Sequence, residues 1–224
     1  MDGFSGSVWE REGAEHGMNK NAFVALVSFW TASGIAASAW AATISLTWQV
    51  GWPLLLGVSA SSILGVVIAL ISKNPMISIV GYAMVCLPLG LLLGPVVAMY
   101  TVASVVKVFM ITTGMVLALG LVGTVIPDSL ESWGSYLFGG LLILLLGSFL
   151  VPIAGFFGIP VKGAMTMFDW FGVILFGGYV VYDMNRAMRV ERTLDNSIDC
   201  AVAMYLDFIN LFVRLLSLTG QKKD

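Results

Sequence analysis

Two aspartates lie within long apolar stretches of this sequence, and their type and spacing suggest chemistry more clearly than any other residues do. Asp183 closes the run Phe176–Asp183, and Asp207 lies within the run Tyr205–Phe212. Placing an ionisable group at membrane depth costs several kcal/mol, so such a group usually faces the interior of a helical bundle and serves a function. Asp183 and Asp207 are therefore the first candidates for a functional site.

The spacing of these aspartates predicts that their side chains meet. They lie 24 residues apart, and their midpoint, Asp195, falls in a polar connection between two apolar segments. In an antiparallel helical hairpin, residues equidistant from the turn lie at similar depth. Both would be roughly 10–18 Å from the turn along the helix axis, so the two carboxylates can come into contact.

Two carboxylates in contact in a low dielectric cannot both stay ionised cheaply, so one of them should hold a proton. Asp183 and Asp207 are therefore predicted to form a pH-sensing proton switch. When both are ionised, their oxygens offer a weak site for a hard cation such as calcium, with water or carbonyl oxygens completing the shell. We expect calcium as a transported ion and no tightly bound cofactor.

A purely structural role for the aspartates is the alternative. Arg186 follows Asp183 by three residues and Arg214 follows Asp207 by seven, so each acid shares a helical face with a base. The sequence alone leaves structural ion pairs open. The candidate supporting residues around the pair are Arg186, Asn210, Arg214 and Tyr182.

The composition is that of a protein that spans a membrane. The 224 residues are 58% hydrophobic and only 11% charged, with a mean hydropathy of +0.94, whereas a soluble domain carries about 25% charged residues. Residues 21–72 and 74–106 contain no charge, and a membrane span needs roughly 20 apolar residues. The lack of alternation between apolar and polar residues argues against an outer-membrane barrel. We predict an all-α polytopic bundle of about seven transmembrane helices in a lipid bilayer.

The apolar segments set the predicted boundaries of these helices. Residues 1–19 are predicted to form a disordered polar tail and residues 20–220 a single transmembrane bundle. One of Asp195, Asn196 and Ser197 is predicted to cap the last helix. The predicted spans are 21–45, 53–72, 76–97, a fourth that ends near 126, 135–157, 165–187 and 198–218.

Other residue types exclude several classes of site. The single histidine, His16, lies in the polar tail, which excludes histidine triads and histidine-based metal sites. Cys86 and Cys200 fall in predicted helices and are expected to pack as small apolar residues. A net charge of −2 offers no basic surface for nucleic acid. Gly90 and Gly94 form a GxxxG pair, which can mark close helix packing.

The distribution of lysine and arginine predicts the orientation. Most of these residues in short loops fall on the side of the N-terminus, which places that terminus in the cytoplasm. The cell membrane would be the inner membrane in a Gram-negative bacterium. Lys222 and Lys223 oppose this assignment, and the conflict disappears if the last segment is re-entrant. The sequence leaves both arrangements open.

The run Phe176-Gly177-Gly178-Tyr179-Val180-Val181-Tyr182-Asp183, followed by the run Tyr205–Phe212, resembles the Bax inhibitor family, most closely its bacterial YccA/YetJ-type branch. The resemblance is strong over 172–218 and extends weakly over most of the chain. It implies seven helices with the last surrounded by the other six, and a pH-sensitive calcium leak with Asp183 and Asp207 as sensor and gate. Some bacterial relatives are instead modulators of a membrane-bound ATP-dependent protease.

One departure from the family pattern concerns gating. Members of the family can use a basic residue in the second helix as a latch on the aspartate pair. Residues 53–72 contain no charge here, so that latch is absent or is supplied by another residue. The carboxylate pair itself is unaffected by this departure.

Three functions remain as hypotheses, led by the cation leak gated through Asp183 and Asp207. The second is a regulatory protein that binds a membrane protease, through its N-terminal tail, without transport. The third is an intramembrane aspartyl protease, since Tyr182-Asp183 resembles the first presenilin-type motif. That class needs Gly-x-Gly-Asp at its second aspartate, and Met204-Tyr205-Leu206 precedes Asp207 instead. We therefore predict that the protein is not an enzyme.

Overall fold

The computed structural model describes residues 17–223, and in this range seven helices are long and apolar enough to cross a membrane. Their lengths of 20 to 26 residues correspond to about 30–39 Å at the rise of an α-helix. The predicted all-α membrane bundle is confirmed. The helices are α1 (Lys20–Ser45), α2 (Trp52–Ile71), α3 (Pro75–Ala98), α4 (Val102–Val125), α5 (Glu131–Phe156), α6 (Lys162–Ala187) and α7 (Leu194–Thr219).

The predicted cap of the last helix is wrong. Because α7 begins at Leu194, Asp195, Asn196 and Ser197 all lie inside its first turn. Thr193 is the capping residue instead, since its Oγ1 accepts a hydrogen bond of 3.1 Å from the backbone N–H of Asn196. The prediction placed the helix start at the first apolar residues and so missed a polar first turn.

The last helix is continuous over 26 residues. That length is sufficient for a complete crossing, which favours a seventh span over a re-entrant segment. Among the described helices, α7 is the most buried and α5 the least.

Contacts divide the chain into two compact units. The first contains α1, α2, α3 and the segment Ala187–Tyr205, and the second contains α4, α5, α6 and the chain from Leu206 onward. The helix α7 therefore contributes its first half to one unit and its second half to the other. The prediction of a single bundle over 20–220 stays a prediction, and most of the predicted disordered tail lies outside the described residues.

Glycines allow close helix packing in the first unit. A Cβ atom built on Gly90 would lie 2.5 Å from the backbone oxygen of Ser38, and one on Gly94 would lie 2.5 Å from the backbone oxygen of Ala42. The predicted GxxxG contact is therefore present, and it joins α3 to α1. Small residues at such crossings let backbones approach closely in lipid.

A proline interrupts the hydrogen bonding of α3, and neighbouring hydroxyl groups compensate for it. Pro88 has no N–H to offer the carbonyl of Met84 four residues earlier, and Ser61 of α2 donates to that carbonyl at 3.1 Å. Two residues later in α3, the carbonyl of Cys86 accepts a hydrogen bond of 2.8 Å from Ser38 of α1. The Ser38 hydroxyl also lies 2.6 Å from that of Tyr205 in α7.

The second unit has its own close crossing, between α4 and α6. A Cβ atom on Gly123 would lie 2.5 Å from the backbone oxygen of Val181 and 3.0 Å from the Cβ of Met184. Phe109 of α4 makes edge-to-face ring contacts with Phe208 and Phe212 of α7. These contacts hold α6 and the second half of α7 in place within this unit.

Outward-facing apolar side chains give the helices a surface suited to lipid. Large residues on several helices are exposed, including Leu56, Ile71, Val125 and Phe156. Ordinary soluble monomers rarely expose large contiguous apolar patches. Both cysteines are buried, as expected for small apolar residues.

Candidate ion-binding site

The structure brings Asp183 and Asp207 together. Both belong to the second unit, and their carboxyl groups lie within hydrogen-bonding reach of each other. The α6 and α7 segments that carry them run in opposite directions, because Asp169 near the start of α6 contacts Arg214 near the end of α7. Equal distances from the turn therefore give the two aspartates equal depth.

The two carboxyl groups differ in exposure. Asp207 is buried, with 4% of its surface exposed, whereas Asp183 is half-buried. The Oδ2 atom of Asp207 is buried and has no hydrogen-bond partner. A buried carboxylate oxygen without a donor is costly. A proton or a cation would remove that cost, so the site is chemically suited to exchange one for the other.

Tyr179 also belongs to this site, although it was not predicted from the sequence. Its phenol lies within electrostatic range of both Asp183 and Asp207. The spacing contained the signal, because Tyr179 precedes Asp183 by four residues and so lies on the same face of α6. Its ring also contacts Phe176, with 6.0 Å between the ring centroids.

The four predicted supporting residues differ in the contacts that they make. Arg186 lies within electrostatic range of Asp183. Asn210 donates a hydrogen bond of 2.8 Å to the carbonyl of Leu206 in its own helix. The hydroxyl of Tyr182 lies beside Gly134 of α5, where a Cβ atom would be 2.9 Å away. The ion pair of Arg214 is with Asp169, at 3.0 Å.

Asn185 was also missed, and it anchors the end of α6 two residues after Asp183. Its amide nitrogen donates to the carbonyls of Ile126 and Asp128 at 3.1 and 3.2 Å, and its amide oxygen accepts from the N–H of Leu130 at 3.2 Å. These bonds connect α6 to the α4–α5 link. The sequence offered only a polar residue near a helix end, which gives no hint of this role.

The two aspartates supply only part of the donor set that a calcium ion needs. In the part of the chain that the structure describes, no group of three histidine, cysteine or acidic residues is placed to hold a metal ion. Asp183 and Asp207 together offer four carboxylate oxygens. Calcium binds roughly six to eight oxygens, so water or carbonyl groups would have to complete its shell.

Comparison with known families matches residues 20–224 to the family described as inhibitor of apoptosis-promoting Bax1. The chain belongs to the Bax inhibitor family. The resemblance read from the aspartate-containing runs is thereby confirmed.

Relatives in the Bax inhibitor family come from bacteria, animals and viruses. The inner membrane protein YbhL of Escherichia coli K12 is 31% identical over 143 residues, which cover 60% of this chain and 59% of YbhL. Mouse protein lifeguard 4 is 29% identical over 127 residues, covering 57% of this chain and 51% of the relative. The Golgi anti-apoptotic protein of vaccinia virus (strain Lister) is 30% identical over 129 residues, covering 58% and 52%. The matched region thus spans only about half to three fifths of each relative.

The family assignment and the seven apolar helices of the described range make this a multi-pass membrane protein. An inner membrane protein among its relatives agrees with that location. The Bax inhibitor family match covers both α6 and α7 and so includes the aspartate pair.

Proposed function

We propose that this Bax inhibitor family protein is a pH-sensitive leak for calcium and similar cations, gated by Asp183 and Asp207. One observation carries the proposal. The two carboxyl groups lie within reach of each other inside membrane-spanning helices, and one oxygen of Asp207 is buried without a hydrogen-bond donor.

The mechanism follows from competition between a proton and a cation for the same oxygens. With one shared proton, the carboxyl groups hydrogen-bond to each other and hold α6 against the second half of α7. When that proton leaves, two negative charges repel each other and attract a cation. Asp183, the more exposed of the two, would meet the ion first, and buried Asp207 would control its passage.

Calcium influx into reconstituted vesicles that contain a calcium-sensitive dye tests the proposal. Wild-type influx should change between about pH 5 and pH 8, and Asp207→Asn should flatten that profile because a neutral amide cannot take part in the proton switch. Asp128→Asn is the matched control, since Asp128 is exposed in the α4–α5 link. An influx that depends neither on pH nor on Asp207 would overturn the proposal.

A regulatory role is the second candidate, favoured by the name of the vaccinia relative, Golgi anti-apoptotic protein. In this case the protein would bind and modulate a partner such as a membrane-bound protease without transport. Deletion of residues 2–18 should then abolish regulation while any ion flux persists. Regulation that survives the deletion would exclude a role for the tail.

We also propose that the N-terminus is cytoplasmic. Reporter fusions at the two ends should then report opposite sides of the membrane, because seven spans reverse the direction of the chain. Reporters on the same side would instead restore the re-entrant arrangement of the last segment.

A further inference from the structure

A second charged contact joins α6 to the second half of α7, nearer the C-terminal end of α7. Arg214 Nη1 lies 3.0 Å from Asp169 Oδ1, and Ser217 donates a hydrogen bond of 2.6 Å to Asp169 Oδ2. The Arg214 and Asp169 side chains are 17% and 18% exposed. Charged residues are rare in an apolar helical hairpin, so this ion pair is a second candidate for a functional role, beside the aspartate pair.

The two charged contacts lie along one line on each helix. On α7, Asp207, Asn210, Arg214 and Ser217 follow at intervals of three, four and three residues, which places them on one face. Asp207 and Arg214 are separated by about 10 Å along the axis.

The facing stripe on α6 has the same spacing. Asp169, Gly172, Phe176, Tyr179 and Asp183 follow at intervals of three or four residues. Along the shared seam between the helices, the acidic pair therefore lies about 10 Å deeper than the backbone of Arg214 on α7 and about 20 Å deeper than that of Asp169 on α6.

The Arg214 side chain crosses this seam. A Cβ atom on Gly172 would overlap the Cδ and Nε atoms of Arg214, so the arginine side chain lies directly across the α6 backbone. Its Nη1 also approaches the carbonyl of Phe168 at 3.4 Å. Its Nε is buried without a hydrogen-bond partner. The guanidinium group is therefore held through Nη1, which contacts Asp169 and the carbonyl of Phe168.

The chain beyond Arg214 is fixed as well. The backbone N–H of Thr101 donates to the carbonyl of Gln221 at 2.9 Å, and the N–H of Gln221 donates to the hydroxyl of Ser104 at 2.8 Å. Tyr100 and Lys222 form an antiparallel bridge. The end of α7 is thus attached to the start of α4 in addition to α6.

We propose that Arg214, whose charge is only partly offset by Asp169, is the charge barrier for small cations that move between the Asp183–Asp207 pair and the C-terminal end of α7. This inference rests on the proposed leak and adds a residue that limits and selects the passing ion. A fixed positive charge repels a cation in a low dielectric. Asp169 offsets that charge and holds the guanidinium group across the seam.

The barrier predicts opposite effects for the two partners of the ion pair. Arg214→Gln removes the positive charge and should raise calcium influx roughly threefold or more, while Asp169→Asn leaves the arginine uncompensated and should lower it by a similar factor. The double variant should resemble Arg214→Gln. A merely structural ion pair would give losses in the same direction for both single variants.

Influx measurements on reconstituted full-length protein decide between these outcomes. Lys107→Gln and Asp128→Asn are the matched controls, since they make the same charge changes at exposed positions in the same unit. If Asp207→Asn flattens the pH profile but Arg214→Gln behaves as the wild type, the barrier is overturned and the leak stands. Equal losses in both single variants also overturn it.

A second readout tests the barrier even if no pH-sensitive flux exists. Asn210→Cys, in a background with Cys86→Ala and Cys200→Ala, places a thiol on the seam between Asp207 and Arg214. Adding Arg214→Gln should speed its modification by a cationic thiol reagent roughly threefold or more, with little effect on a neutral reagent of the same size. Equal changes for both reagents, or no change, would overturn the barrier.

Discussion

The polar groups around the Cys86 carbonyl and those around Asp207 are both buried, but they differ in how completely they are hydrogen-bonded. In the first unit, the hydroxyls of Ser38 and Tyr205 are hydrogen-bonded to each other, and Ser38 also donates to a carbonyl of α3. In the second unit, Asp207 keeps a buried oxygen without a donor. A neutral network that is fully hydrogen-bonded has little to gain from rearranging, whereas an ionisable group with an unsatisfied oxygen can bind a proton or a cation. We therefore expect the groups around the Cys86 carbonyl to be rigid and those around Asp207 to switch.

The largest effect that we expect comes from disturbing the glycine crossing next to the rigid cluster. Gly90→Val should destabilise the protein by about 1–3 kcal/mol or prevent folding, because the new side chain would meet the backbone of α1 at Ser38. Thermal unfolding in detergent measures the change. Gly57→Val is the control, since a Cβ atom at Gly57 has no neighbour within 4 Å. Equal stability of the two variants would contradict the close crossing.

A smaller effect separates the two clusters directly. Ser38→Ala should cost about 1 kcal/mol by removing a buried hydrogen bond while leaving the pH profile of calcium influx unchanged. Asp207→Asn should flatten that profile with little loss of stability, because it removes the charge that the pair cannot hold cheaply. The Ser33 hydroxyl bonds only within its own helix and is exposed, so Ser33→Ala is the control for the serine variant. If Ser38→Ala altered the pH profile, the division into a rigid and a switching cluster would fail.

The smallest effect concerns Tyr100, which reports the charge of Asp169. Burial, and secondarily the negative charge of Asp169, raises the pKa of the Tyr100 phenol above 10.0. The phenol should therefore stay neutral to a higher pH than a free tyrosine, as measured by the ultraviolet absorbance difference between the wild type and Tyr100→Phe. Asp169→Asn should lower the midpoint part of the way, because the charge that opposes ionisation is gone. A midpoint that is unaffected by this substitution would place Asp169 too far from Tyr100 to act on it.

Much of the fold could be predicted because apolar length and charge are strong signals in lipid. The predicted boundaries of α1 to α4 differ from the structure by at most one or two residues. The start of α5 at Glu131 was missed because the prediction began the helix at 135, after the polar residues of the preceding connection. An acidic residue is in fact favourable in the first turn of a helix, where it faces the positive end of the dipole.

The candidate site, like the fold, was predicted from the sequence only in part. The meeting of Asp183 with Asp207 followed from sequence spacing alone, since a hairpin pairs residues equidistant from its turn. The ion pair between Arg214 and Asp169 did not, because Arg214 also shares a face with Asp207, and spacing within one helix does not identify a partner on another. Only packing selects Asp169, through the space that Gly172 leaves for the arginine side chain.

The division of α7 between the two units has a consequence for biosynthesis. The first unit needs Ala187–Tyr205 and the second needs the chain from Leu206 onward, so neither is complete until this last of the described helices has been translated. Chains emerge and fold from the N-terminus, and the six preceding helices must therefore wait in the membrane with polar groups such as Ser38 lacking their α7 partner. A ribosome that stops before residue 194 would release a chain in which both units are unfinished, which makes such fragments natural substrates for membrane quality control.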